Sequence, residues 1–566
     1  EGYVQARPGD GQALLMLASA QMKQGRHARA VQLMQDALKT KDSPEYRTAL
    51  GLSLLQSGQG SMAEDQLAKA YKADPKQTYA GLALVTVYLR ENQMARALAV
   101  ADTLARANPN SATVQMVQAY AKAHVRDYAG ARVGYEKALK LDPNQLEAKL
   151  GLARIDTLTG NFDAADKRLR TALHDDERNT SVLFELALLN ELRGKDDEAL
   201  KWLESAASAS GARETRANFA LVAWHLRKGQ PARAIEAAKV LLSKLPDDVE
   251  ALQAYAGAQL ANGDAAGARA TLTNASRRAA FETPRLVEVA RQQVAAQDLK
   301  GAAYTLDKAL NGTPNDPAAM AMLSSVELAQ GNAAQAEQRA RQVIEAKPKS
   351  SLGYNLLAEV AMRRGQNAAA LDALRKAHEL DKSSTTLTRL MRVQAMQGNL
   401  KPAVDSAEAW LRKNPGDASV RSTLAELLVR AQDFSGARRQ YEAILKTRPA
   451  DANALNNLAN VLIELKDPGA VDVAERALKT DPRNPMLLDT AGWASHRAGK
   501  ADRALQLLRD ARLRAPDNPD IRYHLAAVLA QAGRKAEARE ELNAALRGEA
   551  TFATAAEAKQ LLSTLN

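Results

Sequence analysis

Cysteine is absent from the sequence. Disulfides and thiolate-held metal sites are therefore excluded, while the redox compartment stays undetermined. Aromatic residues make up only 4% of the chain, although apolar residues make up 46%. That ratio suits closely packed helices with alanine at their contacts and does not suit a sandwich or a barrel. No apolar run reaches the roughly 18 residues needed to span a bilayer. An apolar signal segment is missing too, but the chain opens on Glu1 rather than Met, so a trimmed or mature form is expected and export is left open. Long charge blocks of one sign are also lacking. The net charge is +11 and the pI about 9.5, yet Lys and Arg are interspersed with Asp and Glu, as on ordinary solvated helix faces.

The usual signatures of catalysis are missing as well. The seven His residues are scattered, with no His-Glu-x-x-His or paired-His spacing, and no Gly-rich loop leads into Lys-Ser or Lys-Thr. The expectation is a non-catalytic protein with no catalytic residues, no metal site and no cofactor.

What the chain does contain is a period. Pro75, Pro109, Pro143, Pro246, Pro314, Pro348, Pro415, Pro449, Pro482 and Pro516 are separated by 33 to 35 residues or near multiples of 34. A chain of 566 residues is far too long for one compact core, but a solenoid grows by adding units and needs no central core. The spacing predicts a polar lead-in over residues 1–10, a continuous array of about sixteen helix-turn-helix units over 11–552, and one extra helix in 553–566. Leu561, Leu562 and Leu565 recur at helical spacing in that last stretch, as a helix covering the final apolar face requires.

Within each unit the strictest position is an Ala early in the second helix, from Ala30 in the first unit through Ala437 to Ala538 in the last. Helices crossing there approach closely only if the side chain is small. The middle of the first helix carries Ala in most units, Gly51, Gly492 or Ser324 in three, and the larger Val85, Val222 and Met391 as exceptions. A Gly usually stands between the helices, among them Gly25, Gly58, Gly160 and Gly499, because it can take the left-handed conformation that ends a helix. The unit-ending Pro blocks continuation of the second helix. Glu177, Gly211, Ala280 and Lys382 replace it in four units, where local pitch is expected to vary, and one residue is missing near Asp467-Pro468, which is expected to tilt its neighbours.

This grammar resembles the tetratricopeptide repeat over nearly the whole chain. The resemblance implies an all-α, right-handed α-solenoid superhelix of about two turns, with first helices lining the concave surface. A narrower likeness is carried by Leu488-Asp489-Thr490-Ala491-Gly492-Trp493 and Ile521-Arg522-Tyr523-His524-Leu525-Ala526. These stretches resemble the C-terminal repeats of the TPR-repeat lipoproteins of bacterial PEP-CTERM/exosortase systems. That likeness implies an interaction scaffold in the periplasm or envelope of a Gram-negative bacterium, linked to exopolysaccharide production or exosortase sorting. The lipid-attachment Cys of such proteins is absent from this sequence, so contact with a membrane is expected only through an anchor outside it.

In the repeat's geometry, positions two, five, nine and twelve of each first helix face the groove, with position six near its edge. In early units this selects Leu52, Leu55, Leu82, Leu89, Phe184 and Phe219. Two readings stand for them: an apolar stripe for a peptide or helix partner, or burial against neighbouring first helices. In the fourteenth unit the groove turns polar with Asn453, Asn456, Asn457 and Asn460. Four Asn cost helix propensity, but each amide donates and accepts, which suits a peptide main chain or sugar hydroxyls. Struts between units are the competing reading. The next two units add Asp489, Trp493 and His496, then Tyr523 and His524, whose rings could clasp an apolar residue or a sugar ring or simply pack adjacent units. No third ligand accompanies His496 and His524, so they are not read as a metal pair. The leading reading is a protein or peptide partner in the concave groove, with polysaccharide-system components in second place. The alternatives are a direct binder of anionic polysaccharide or nucleic acid, against which the dispersed charge argues, and a cytoplasmic adaptor.

Overall fold

The computed structural model describes residues 2, 4, 7, 9–57, 59–75, 78–212, 214–547 and 552–565. Gly58, one of the turn glycines named above, and residues 548–551 at the end of the sixteenth unit lie outside them. Among the described residues there are 33 helices and no strand, with 79% of the residues helical. The helices run from Gly11–Lys23 and His27–Thr40 to Pro519–Gln531 and Lys535–Ala545, followed by the single helix Ala555–Thr564. That is sixteen pairs and a terminal helix, an all-α solenoid of helix-turn-helix units. The chain forms two compact units, Glu1–Arg278 and Ala279–Asn566, and the division falls at the irregular end of the eighth pair. No helix among the described residues is long and apolar enough to cross a membrane.

Local chemistry sets the helix ends. Most first helices begin behind an Asp, Ser or Asn whose side chain accepts main-chain N–H groups of the first turn, as Asp10, Ser111, Asn179, Asp316 and Asp451 do. Ten turn glycines hold φ between 65° and 87°. Asn92, Arg126, Gln297, Gln432 and Lys466 take the same left-handed conformation without that freedom.

The small-residue code is a packing code. Ala30, Ala131, Ala302, Ala437 and Ala538 are fully buried at the early second-helix position. At the mid-first-helix position a Cβ added to Gly51 would sit 2.6 Å from Leu67 Cγ. Ser324 is buried there too, and its hydroxyl donates to the Ala336 carbonyl at 2.8 Å, so the polar group costs little. Val85 and Met391, the larger exceptions, are equally buried.

Two of the departures from the unit-ending Pro, and the missing residue near Asp467-Pro468, are met by local devices. At Gly211 the Lys244 ammonium donates to the Ala207 and Ser210 carbonyls, both at 2.8 Å, and to Asn218 Oδ1 at 3.2 Å. It thereby takes the last carbonyls of helix Asp196–Ala209, and burial lowers its pKa. At the eighth unit Ala280 adopts φ 46°. The residue missing near Asp467-Pro468 shortens a second helix to Ala470–Thr480, 11 residues where Phe434–Thr447 has 14. Asp467 spans the gap, accepting from Gly469 N–H at 2.8 Å and from Arg438 Nη1 at 2.8 Å.

Candidate binding cavity

The Asn-rich first helix of the fourteenth unit, Ala452–Glu464, divides its four amides among three surroundings. Asn453 is exposed and opens onto a separate polar depression with Asp417, Arg448 and Asp451. Asn456 is half-buried, and its Oδ1 has no hydrogen-bond partner. Asn457 and Asn460 line one cavity of about 850 Å³. Asn457 also lies beside the Tyr441 hydroxyl of the thirteenth unit, whereas Asn460 is exposed.

The cavity lies among the first helices Ala418–Arg430, Ala452–Glu464, Pro485–Arg497 and Pro519–Gln531, with the terminal helix as one wall. Its aromatic side is built around Trp493. The indole stacks on the His524 ring at 4.3 Å and 18° and on the His496 ring at 4.9 Å and 30°, and meets Tyr523 at 6.1 Å. Asp489 is 5% exposed and does not line the cavity. Its two oxygens lie 2.9 and 3.0 Å from His524 Nδ1, so that nitrogen carries the proton and donates, and the ring is held flat against the indole. His496 likewise does not line the cavity, and it is half-buried. Burial pushes its pKa down, helped by Arg497 and His524, which favours a neutral ring beside Trp493. Burial raises Tyr441 to about 12 and also raises Tyr523, the latter with help from Glu557.

Several lining residues were not among the sequence candidates: Phe434, Tyr441, Arg430, Glu464, Arg497 and Glu557. Three of these could have been found. Arg430, Glu464 and Arg497 are the last residues of three successive first helices, one position beyond the face used to select candidates. Glu557 carried no periodic signal because it belongs to the terminal helix. That helix does more than cover an end. Leu561 and Leu562 pack on the cluster of Ala526 and Leu529, while Thr554, just before it, is held by Asp520 Oδ1 at 2.9 Å and reaches the cavity with Glu557.

The early groove candidates are placed differently. Leu52, Leu55, Leu82 and Leu89 are half-buried and pack on the cluster of Leu84, Val87 and Leu104. Phe184 packs beside Leu203 and Trp224, with the Arg216 guanidinium 4.2 Å from its ring centre. Phe219 is half-buried. Among the described residues, no group of three or more His, Asp or Glu side chains is placed to hold a metal ion.

Three solved structures similar to this chain share little sequence with it. The structure of Naa15/Naa10 bound to HypK-THB is 15% identical, with 98% of this chain and 100% of that one covered and a TM-score of 0.40. Yeast Tom70 is 14% identical, with 94% and 96% covered and a TM-score of 0.38. A tetratricopeptide repeat protein from Parabacteroides merdae is 17% identical, with 43% and 97% covered and a TM-score of 0.38. No curated protein matches the chain. A family model described as tetratricopeptide repeat matches residues 1–52, 54–120, 124–183, 225–289, 293–360 and 496–565, and a second of the same description matches 159–213 and 422–485. These matches cover well over half of the sequence and repeat the period read from its prolines and alanines; the chain belongs to the tetratricopeptide repeat family.

Proposed function

We propose that the protein is a non-catalytic interaction scaffold whose first-helix face in units thirteen to sixteen receives a segment of a partner protein. The observation that carries this reading is the cavity itself. Five sequence candidates, Asn457, Asn460, Trp493, Tyr523 and His524, come from three successive units and line one space of about 850 Å³. A cavity of that size lies in the range used for specific ligand sites, and its lining mixes rings and aliphatic side chains with charged and amide groups. The likeness of the two C-terminal repeat stretches to exosortase-system lipoproteins supports placing the scaffold in a Gram-negative envelope, serving exopolysaccharide or protein-sorting machinery. The net charge of +11 favours a second reading, direct binding of an anionic polymer, which should weaken steeply with salt.

The test is site-specific photo-crosslinking in the native host, with a photoreactive residue in place of exposed Asn460 and, as control, in place of Tyr304, which is 72% exposed on a second helix. A discrete protein adduct is expected from position 460 and not from 304. Identical adduct patterns, or no protein adduct from 460, would overturn the scaffold reading at this face. Fractionation of the tagged full-length product tests the envelope assignment, which recovery in the cytosol alone would sink.

A further inference from the structure

The rim of this cavity carries an ordered charge pattern. Arg430, Glu464 and Arg497 occupy the same place, the last residue, on three successive first helices. All three are exposed and line the cavity, and none makes an ion pair or side-chain hydrogen bond among the described residues. Their signs alternate: positive, negative, positive. This is unusual for a chain whose surface Arg and Glu side chains so often pair, as Arg503 does with Glu475 and Arg438 with Glu442. The same cavity is lined by four rings, those of Phe434, Tyr441, Trp493 and Tyr523.

Resting on the scaffold reading, we infer that the cavity selects a partner segment in polyproline II conformation carrying acidic, basic and acidic side chains at every third position. The spacing argument is geometric. Helices Ala452–Glu464 and Pro485–Arg497 pack on each other, and packed helices lie about 8–10 Å apart, so Glu464 and Arg497 recur at about that interval, with Arg430 one unit further along the same face. A polyproline II segment has three residues per turn and rises about 9 Å per turn, which places every third side chain on one face at the same interval. An extended β-strand does not do this, because its side chains at every third position point to opposite faces. The aromatic residues in the lining fit as well, since proline-rich segments dock on aromatic-lined grooves and arrive already ordered. Each charged side chain of the ligand then meets an opposite charge, and like charges meet when the sequence is inverted.

The experiment measures fluorescence anisotropy with two labelled heptapeptides, Asp-Pro-Pro-Lys-Pro-Pro-Asp and the inverse Lys-Pro-Pro-Asp-Pro-Pro-Lys. The protein should prefer the first by roughly tenfold. The variant Arg430→Glu/Glu464→Arg/Arg497→Glu should reverse the preference while its melting temperature stays unchanged, because all three side chains are exposed. The reversal cannot be background. The variant exchanges two Arg and one Glu for two Glu and one Arg, so the formal net charge stays strongly positive from +11 and a bulk effect would still favour the acidic peptide. Equal affinity for both peptides, a preference that survives in the variant, or no saturable binding of either peptide overturns the inference. The scaffold reading is unaffected by any of these results, since it is decided by crosslinking at position 460.

Discussion

The same repeat positions are used in two ways along this chain. In units two, three and six, groove-facing positions carry Leu52, Leu55, Leu82, Leu89 and Phe184, and each packs on apolar neighbours of the adjoining helices. In units fourteen to sixteen the corresponding positions carry Asn460, which is exposed, and Trp493 and Tyr523, which pack on apolar clusters but also line open space. The backbone plan is shared, so the difference comes from what neighbouring units supply. A Leu beside Leu removes its surface from water at roughly 25 cal/mol per Å². An Asn in the same place keeps its solvation, as exposed Asn460 does, or stands beside one polar neighbour, as Asn457 does beside Tyr441. A repeat position facing the groove is thus a place where binding can be built, and apolar neighbours are enough to turn it into packing.

Mutation of the early stripe tests this contrast most strongly. Leu82→Ala combined with Leu89→Ala should cost about 3 kcal/mol of stability, a value reduced from fully buried Leu because both are half-buried. Chemical denaturation measures it. A loss below about 1 kcal/mol would mean that the early leucines are an open binding stripe like the late one, and the contrast would fail.

Alkaline titration compares one buried phenol from each region. Tyr135, against which a Cβ on Gly151 would clash at 2.4 Å, and Tyr441 in the cavity wall are both raised from 10.0 to about 12. A raised phenol pKa means that the folded state favours the neutral form. The resulting stability is complete below pH 10 and is lost as pH rises through about 12. The loss should be about 1.4 kcal/mol per pH unit for each residue across that window. Tyr135→Phe and Tyr441→Phe should each flatten the decline equally. A flat profile for Tyr441 alone would show that water in the cavity reaches its hydroxyl.

The smallest effect concerns the turns. Arg126 and Gln432 hold φ of 65° and 60° where most units have Gly. Arg126→Gly and Gln432→Gly should each raise stability by about 1 kcal/mol through relief of left-handed strain. Gln432 lines the cavity. If only its replacement fails to stabilise, its side chain makes contacts there that offset the strain.

The array was legible from the sequence because its determinants are local. The early alanine of every second helix, the turn glycines and the helix-stopping prolines each act within a few residues of themselves, and repetition every 34 residues makes them visible against variable surroundings. Even the irregular ends could be located, at Gly211 and Ala280. That Lys244 would cap the first of these could not be read, because the two residues are 33 positions apart and only the packed helices bring them together.

The candidate site was legible in part. Asn453, Asn456, Asn457 and Asn460 fall within an arc of about 100° on an ideal helix, so the sequence alone presents them as one polar face. The folded chain separates them: one opens to another depression, one turns its oxygen inward without a partner, and two line the cavity, one half-buried beside Tyr441 and one exposed. Helical periodicity determines which residues share a face. What each residue then meets depends on how closely the next helix approaches and on which side chains it presents, and only the tertiary structure decides that. For the same reason Glu557, on a helix outside the repeat, reaches the same space as Asn460.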